Sequence, residues 1–153
     1  MRYFIYLSYN GSNYHGWQIQ PNATTVQEVV QKALSLIIGK QIDITGAGRT
    51  RDTDWLSMID SDWGVHARNM AAHFDCELPI DTDAICRQLN SLLPWDISVS
   101  RIVKVKSDAH ARFSALSRTY EYMLYFDKNP FLKGLAYRHY RKLDFEAMNM
   151  AAS

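Results

Sequence analysis

Thr25-Val26-Gln27-Glu28-Val29-Val30-Gln31-Lys32-Ala33-Leu34-Ser35-Leu36-Ile37-Ile38-Gly39 is the stretch on which the fold turns. Apolar residues recur at Val26, Val29, Val30, Ala33, Leu34, Ile37 and Ile38, the spacing that lines one face of an α-helix. Thr24 or Thr25 is suited to cap its start with Glu28 close behind, and Gly39 stops it. Upstream, Tyr3 to Tyr9 is aromatic and aliphatic with the turn residues Asn10-Gly11-Ser12-Asn13 after it, a strand running into an exposed loop. Downstream, Gln41 to Thr45 and Met70 to Phe74 are short apolar runs that each supply a half-buried strand. Asp81 or Thr82 caps a second helix through Ile85, Leu89, Leu92 and Leu93, ended by Pro94, and Ile97 to Val105 alternates as a strand. Thr119 to Phe126 predicts a further aromatic strand, before an Asn129-Pro130 turn and a helix starting near Asp144.

The order β-α-β-β-α-β with an added strand predicts an α+β, ferredoxin-like split βαβ fold. Two helices then cover one face of an antiparallel sheet, and the other face stays open to a ligand. At 153 residues one domain, 1–153, is expected. That architecture hosts unrelated activities, so it leaves function open. Seventeen Lys plus Arg against sixteen Asp plus Glu give a net charge of +1, so any nucleic-acid contact has to be local. Cys76 and Cys86 form no C-x-x-C pair, which argues against a zinc site or disulfide framework and fits a reducing cytoplasm. No apolar run approaches the roughly 20 residues that cross a bilayer, and the N-terminus lacks the pattern of an export signal, so a protein that is soluble and not exported is expected.

Three separated motifs carry more information than the fold. Tyr14-His15-Gly16-Trp17-Gln18-Ile19-Gln20-Pro21 precedes Thr25-Val26-Gln27-Glu28. Gly46-Ala47-Gly48-Arg49-Thr50 is followed, after eleven residues from Arg51 to Ser61, by Asp62-Trp63-Gly64-Val65-His66-Ala67. Asp108-Ala109-His110-Ala111-Arg112-Phe113-Ser114-Ala115 leads to Arg118-Thr119-Tyr120-Glu121-Tyr122. In this order, together with Asn90, Leu93, Pro94, Asp96 and Ile97, they resemble the N-terminal domain of the tRNA pseudouridine synthase A (TruA) family. Members of that family join G-R-T directly to D-x-G-V-H-A. Here the two pieces are parted by residues 51–61, and Trp63 stands where the family has a small residue.

The resemblance implies a tRNA pseudouridine synthase that isomerises uridine in the anticodon stem-loop, an isomerase without cofactor or metal. It also implies a second domain, a homodimer and tRNA as partner, with no role for DNA or membrane. It makes Asp62 the catalytic carboxylate, acting as nucleophile or as the base that removes a ribose proton, with Arg49 its cationic neighbour and Tyr120 the active-site tyrosine. Such a carboxylate stays ionised when a cation offsets its desolvation. Uracil has to leave the stack to be turned, which calls for an aromatic surface and a basic side chain to take its place. Trp17, Gln18, Thr50, His66, Arg112 and Arg118 are the implied substrate and RNA contacts. Trp17 either stacks on a base or packs over the first helix, and Thr25 has a plain role as a cap. Arg68, Lys104 and Lys106 are further phosphate candidates.

Residues 51–61 admit a helical turn capped by Asp52 or Thr53, with Trp55, Leu56, Met58 and Ile59 as an apolar patch. The Asp-x-Asp pairs, two when Asp60 and Asp62 are counted, lack the glycine and distal glutamate of a calcium loop. Looping out eleven residues costs little entropy, but a 1 Å misplacement of a reacting group costs about a hundredfold in rate. The alternative expectation is therefore a catalytically silent RNA-binding or assembly fragment of such an enzyme.

Overall fold

A computed structural model describes residues 1–48 and 65–152. β1 (Arg2–Tyr9) alternates strictly, with Tyr3, Ile5, Leu7 and Tyr9 buried. α1 (Val26–Ile38) starts where Thr25 Oγ1 accepts the Glu28 N–H at 3.4 Å and ends at Gly39, whose φ of 73° is left-handed. A side chain at that φ is strained, which is why glycine terminates the helix. β2 (Ile44–Gly46) and β3 (Ala67–Asp75) follow. α2 (Thr82–Leu92) is capped by the Asp81 carboxylate, which accepts from the Asp83 and Ala84 amides, and β4 (Ile97–Val105) returns beside β1.

The sheet order is β2-β3-β1-β4, and every pair is antiparallel. With α1 and α2 this is the ferredoxin-like split βαβ arrangement. Val26, Val30 and Leu34 of α1 and Ile85 and Leu89 of α2 pack with the buried residues of β1, Phe74, Val99 and Ile102 in one core. Each fully buried aliphatic side chain there stabilises the fold by about 1.5–3 kcal/mol relative to exposure.

The strands differ from the sequence expectation in three informative ways. The strand expected over residues 41–45 is shorter and later, because its first half bonds to α1 instead. Ser35 Oγ accepts the Ile42 N–H, and Gln31 and Gln27 hold the Ile44 amide and carbonyl. In β4 the alternation breaks. Tyr6 pairs with Arg101 but Leu7 with Val99, so Ser100 is an extra, bulged residue. The bulge returns Ile102 to the core and leaves Arg101 on the helix-free face, its guanidinium 4.2 Å from the centre of the Tyr6 ring. A second irregularity, between Leu7 and Tyr9, lets β1 keep Ala67 and Met70 in register across one additional β3 residue. Bulges of this kind commonly bend a strand beside a functional site.

The chain divides into two compact units, Met1–Ser117 and Arg118–Ser153. Within the second, the strand expected over Thr119–Phe126 shrinks to β5 (Leu124–Tyr125). It pairs in parallel with β6 (Tyr137–Arg138) as a separate two-stranded ladder, so it is no fifth strand of the main sheet. Tyr120 and Tyr122 are exposed, and an alternating run without an adjoining strand has no ladder to complete. A single turn follows at Pro130–Leu132, and α3 (Phe145–Ala152) begins after Asp144, whose carboxylate accepts the Ala147 N–H at 3.0 Å.

Candidate active site

Residues 47–66 connect β2 to β3, and 49–64 of them, including Arg49, Thr50, Asp62 and the whole 51–61 stretch, lie outside the described residues. The two ends of that connection are described, and both meet the loop that follows β1. At the N-terminal end, Gly46 sits under the Trp17 indole so closely that a Cβ would overlap it, and the Cβ position of Gly48 lies 3.8 Å from Trp17 Cδ1. Trp17 is buried and stacked on Tyr9, with ring centres 6.1 Å apart. Packing is therefore its visible role, while one side of the residue lines a hollow of about 220 Å³ with Gln18, Gln27, Thr45, Gly46 and Gly48. The hollow lies directly beside the glycine that leads to Arg49.

At the C-terminal end, His66 Nδ1 accepts the Gly11 N–H at 3.0 Å, and the Val65 carbonyl occupies the space a Cβ on Gly11 would need. Glycine at 11 is a close-approach requirement. The neutral His66 ring that accepts at Nδ1 carries its proton on Nε2. The loop itself is tied down from β4's side. Asp96 is buried, its carboxylate accepting from Tyr14 Oη at 2.6 Å and Asn13 Nδ2 at 3.0 Å, while its carbonyl accepts the Asn10 N–H at 2.8 Å. Burial first, and the bond to Asp96 second, hold the Tyr14 hydroxyl well above the ordinary tyrosine range, so it remains a donor.

Arg112 belongs to a turn docked on the helix-free face of β3. His73 Nδ1 accepts the Ala111 N–H at 3.2 Å, and His110 Nδ1 faces the Arg112 and Phe113 amides at 3.2 and 3.3 Å. The two imidazoles meet edge to face, 4.5 Å apart, and the Arg112 guanidinium lies 5.5 Å from the Phe113 ring centre. Burial foremost, then His110 and Arg2, push the His73 pKa below its ordinary value. Arg2 in turn forms a two-point pair with Asp75, at 2.7 and 3.0 Å, and donates to the Ala109 carbonyl.

Arg118 and Tyr120 fall in the second unit, and both are exposed. The first unit thus brings Trp17, Gln18 and His66 to the two ends of one connection and seats Arg112 on the sheet. Sequence reading assigned no role to Gly11, Tyr14 or Asp96 beyond their place in motifs. The signal for Asp96 was present, since a lone aspartate between Trp95 and the apolar start of β4 is buried only with partners. Among the described residues, no group of His, Cys, Asp and Glu is placed to hold a metal ion, and no helix is long and apolar enough to cross a membrane.

What the fold and site define is a split βαβ domain whose β2–β3 connection carries the G-R-T and D-x-G-V-H-A pieces. Over 99% of its length the chain is 50% identical to tRNA pseudouridine synthase A of Porphyromonas gingivalis, covering 57% of that protein. It is 52% identical over the same share to the protein of that name from Bacteroides thetaiotaomicron, covering 52% of it. The corresponding protein of Acetivibrio thermocellus is 38% identical over 97% of the chain. Over nearly all of its length the chain is similar to proteins named tRNA pseudouridine synthase A, and it spans about half the length of the curated relatives it matches. No protein-family model matches the chain.

Proposed function

We propose that this chain is part of an enzyme that isomerises uridine to pseudouridine in the anticodon stem-loop of tRNA. The observation that carries the reading is the identity of about 50%, across nearly every residue of the chain, with proteins named tRNA pseudouridine synthase A. Asp62 is the carboxylate that attacks the sugar or base, or takes a ribose proton, as the glycosidic bond breaks and the ring rejoins through carbon. Arg49 keeps it ionised and fills the space of the extruded base, and Tyr120 receives the uracil. Trp17, Gln18, Thr50 and His66 line the substrate side, while Arg112 and Arg118 contact phosphate. Residues 51–61 are an insert in the catalytic connection. The enzyme works as a homodimer in the cytoplasm without cofactor, which suits the free thiols of Cys76 and Cys86.

The test is tritium release from uridine-labelled tRNA, measured for this chain and for the chain joined to the remaining half of a relative. Release that vanishes on Asp62→Ala supports the assignment. Binding of tRNA by both proteins with release from neither would replace it with a catalytically silent RNA-binding role.

A further inference from the structure

We infer that Asp96 is a positioning residue for the catalytic connection, acting through the loop Asn10–Trp17; its catalytic consequence rests on the function proposed above. Asp96 is 30 residues from His66 in sequence and touches none of residues 46–48 or 65–66 through any hydrogen bond described above. Its reach is indirect. The buried carboxylate takes two donors, Tyr14 Oη and Asn13 Nδ2, and its backbone takes a third from Asn10, so the loop is gripped at three residues within a span of five. Inside that span sits Gly11, with its N–H on His66 Nδ1 and no room for a side chain against Val65.

The same loop continues to Trp17, which packs over Gly46 and beside Gly48. It is anchored on that side as well, because the Gly16 and Trp17 carbonyls accept the Val26 and Gln27 amides at the start of α1. One loop therefore borders both described ends of the connection, and Asp96 fastens its first half beside the start of β4. A carboxylate suits the task better than a neutral acceptor. Hydrogen bonds to an ionised group are about twice as strong as neutral ones, and one carboxylate accepts from two side chains at once. A buried acceptor stripped of its donors is costly, so loop and carboxylate hold each other in place.

Amide exchange and histidine-ring nitrogen shifts on this chain, as Asp96→Ala and as Tyr14→Phe, test the linkage. The Gly11 amide should exchange at least about tenfold faster in both variants, and His66 should lose the signature of an Nδ1 acceptor, while the α1 and Phe74 amides stay unchanged. In the chain joined to the remaining half of a relative, kcat for tritium release should fall about tenfold or more with KM for tRNA within about twofold, as a misplaced reacting group dictates. Tyr14→Phe keeps the ring and so reads the same linkage should Asp96→Ala not fold. Unchanged Gly11 exchange in the folded variants, or a raised KM at constant kcat, overturns the inference. If even the unsubstituted joined protein releases no tritium, the function proposed above fails, and the exchange and nitrogen shifts alone decide the role of Asp96.

Discussion

Met1–Ser117 and Arg118–Ser153 are written in the same apolar alphabet and use it in opposite ways. In the first unit Tyr3, Ile5, Leu7 and Phe74 are at most 2% exposed, whereas in the second Tyr122, Phe131 and Tyr140 are each at least 80% exposed. No described residue from Arg118 to Ala152 is buried. β1 and the 119–126 run alternate equally well in sequence, but β1 lies between two antiparallel partners under two helices. The later run has a two-residue ladder. Alternation specifies which side a residue faces, and burial requires a second layer to face.

The sharpest way to break that contrast is a set of three truncations to alanine followed by urea denaturation. Leu34→Ala should cost about 2–5 kcal/mol, and Phe74→Ala about 3–5. Phe131→Ala should stay within about 0.5 kcal/mol, as expected where a side chain has little packing to lose. Equal effects in the two units would erase the distinction. Gly46→Ala should follow at about 1–3 kcal/mol, because the new methyl has to displace the Trp17 indole, and a stability equal to wild type would mean that the contact yields freely.

A smaller effect separates the two faces of the first unit. His73 is held below its ordinary pKa by burial, His110 and Arg2, with Asp75 opposing, so the unfolded chain binds more protons than the folded one as pH falls past about 6.5. The neutral ring's contribution is complete above that value and is lost as pH drops toward the folded pKa. Asp75, depressed chiefly by its bond to Arg2, loses its own contribution only further down, below the ordinary carboxylate value. The urea midpoint should decline between pH 7 and 5, and His73→Asn, which offers the Ala111 amide an oxygen instead, should flatten that decline. In the first unit, Thr25→Ala should cost about 1 kcal/mol through the lost cap at Glu28, visible as a modest drop in melting temperature.

Much of this was readable in advance for a physical reason. Caps, stops and periodicity are local, and α1, α2 and β4 begin and end where Thr25, Gly39, Asp81, Pro94 and Ile97 to Val105 say they should. The bulge at Ser100 was not readable, because a single slipped residue alters which face Arg101 occupies without altering composition. Asn90 shows the same limit. It was one residue of a motif in sequence, and in the structure its amide pairs with both the N–H and the C=O of Val99 at 2.8 Å, tying α2 to β4.

By itself, then, the sequence determined the order of elements, the inward faces of both helices, and the family that the motifs resemble. All of these depend on residues close together in the chain or on residue identity alone. Only the tertiary structure decided that Trp17 packs on Tyr9, that Gly11 presses against Val65, and that Asp96 holds the loop joining them. The contacts of Gly11 and Asp96 link positions tens of residues apart, and the Trp17 stack forms across the turn of the loop. Chain separation carries no record of them until the sheet has set the strands side by side.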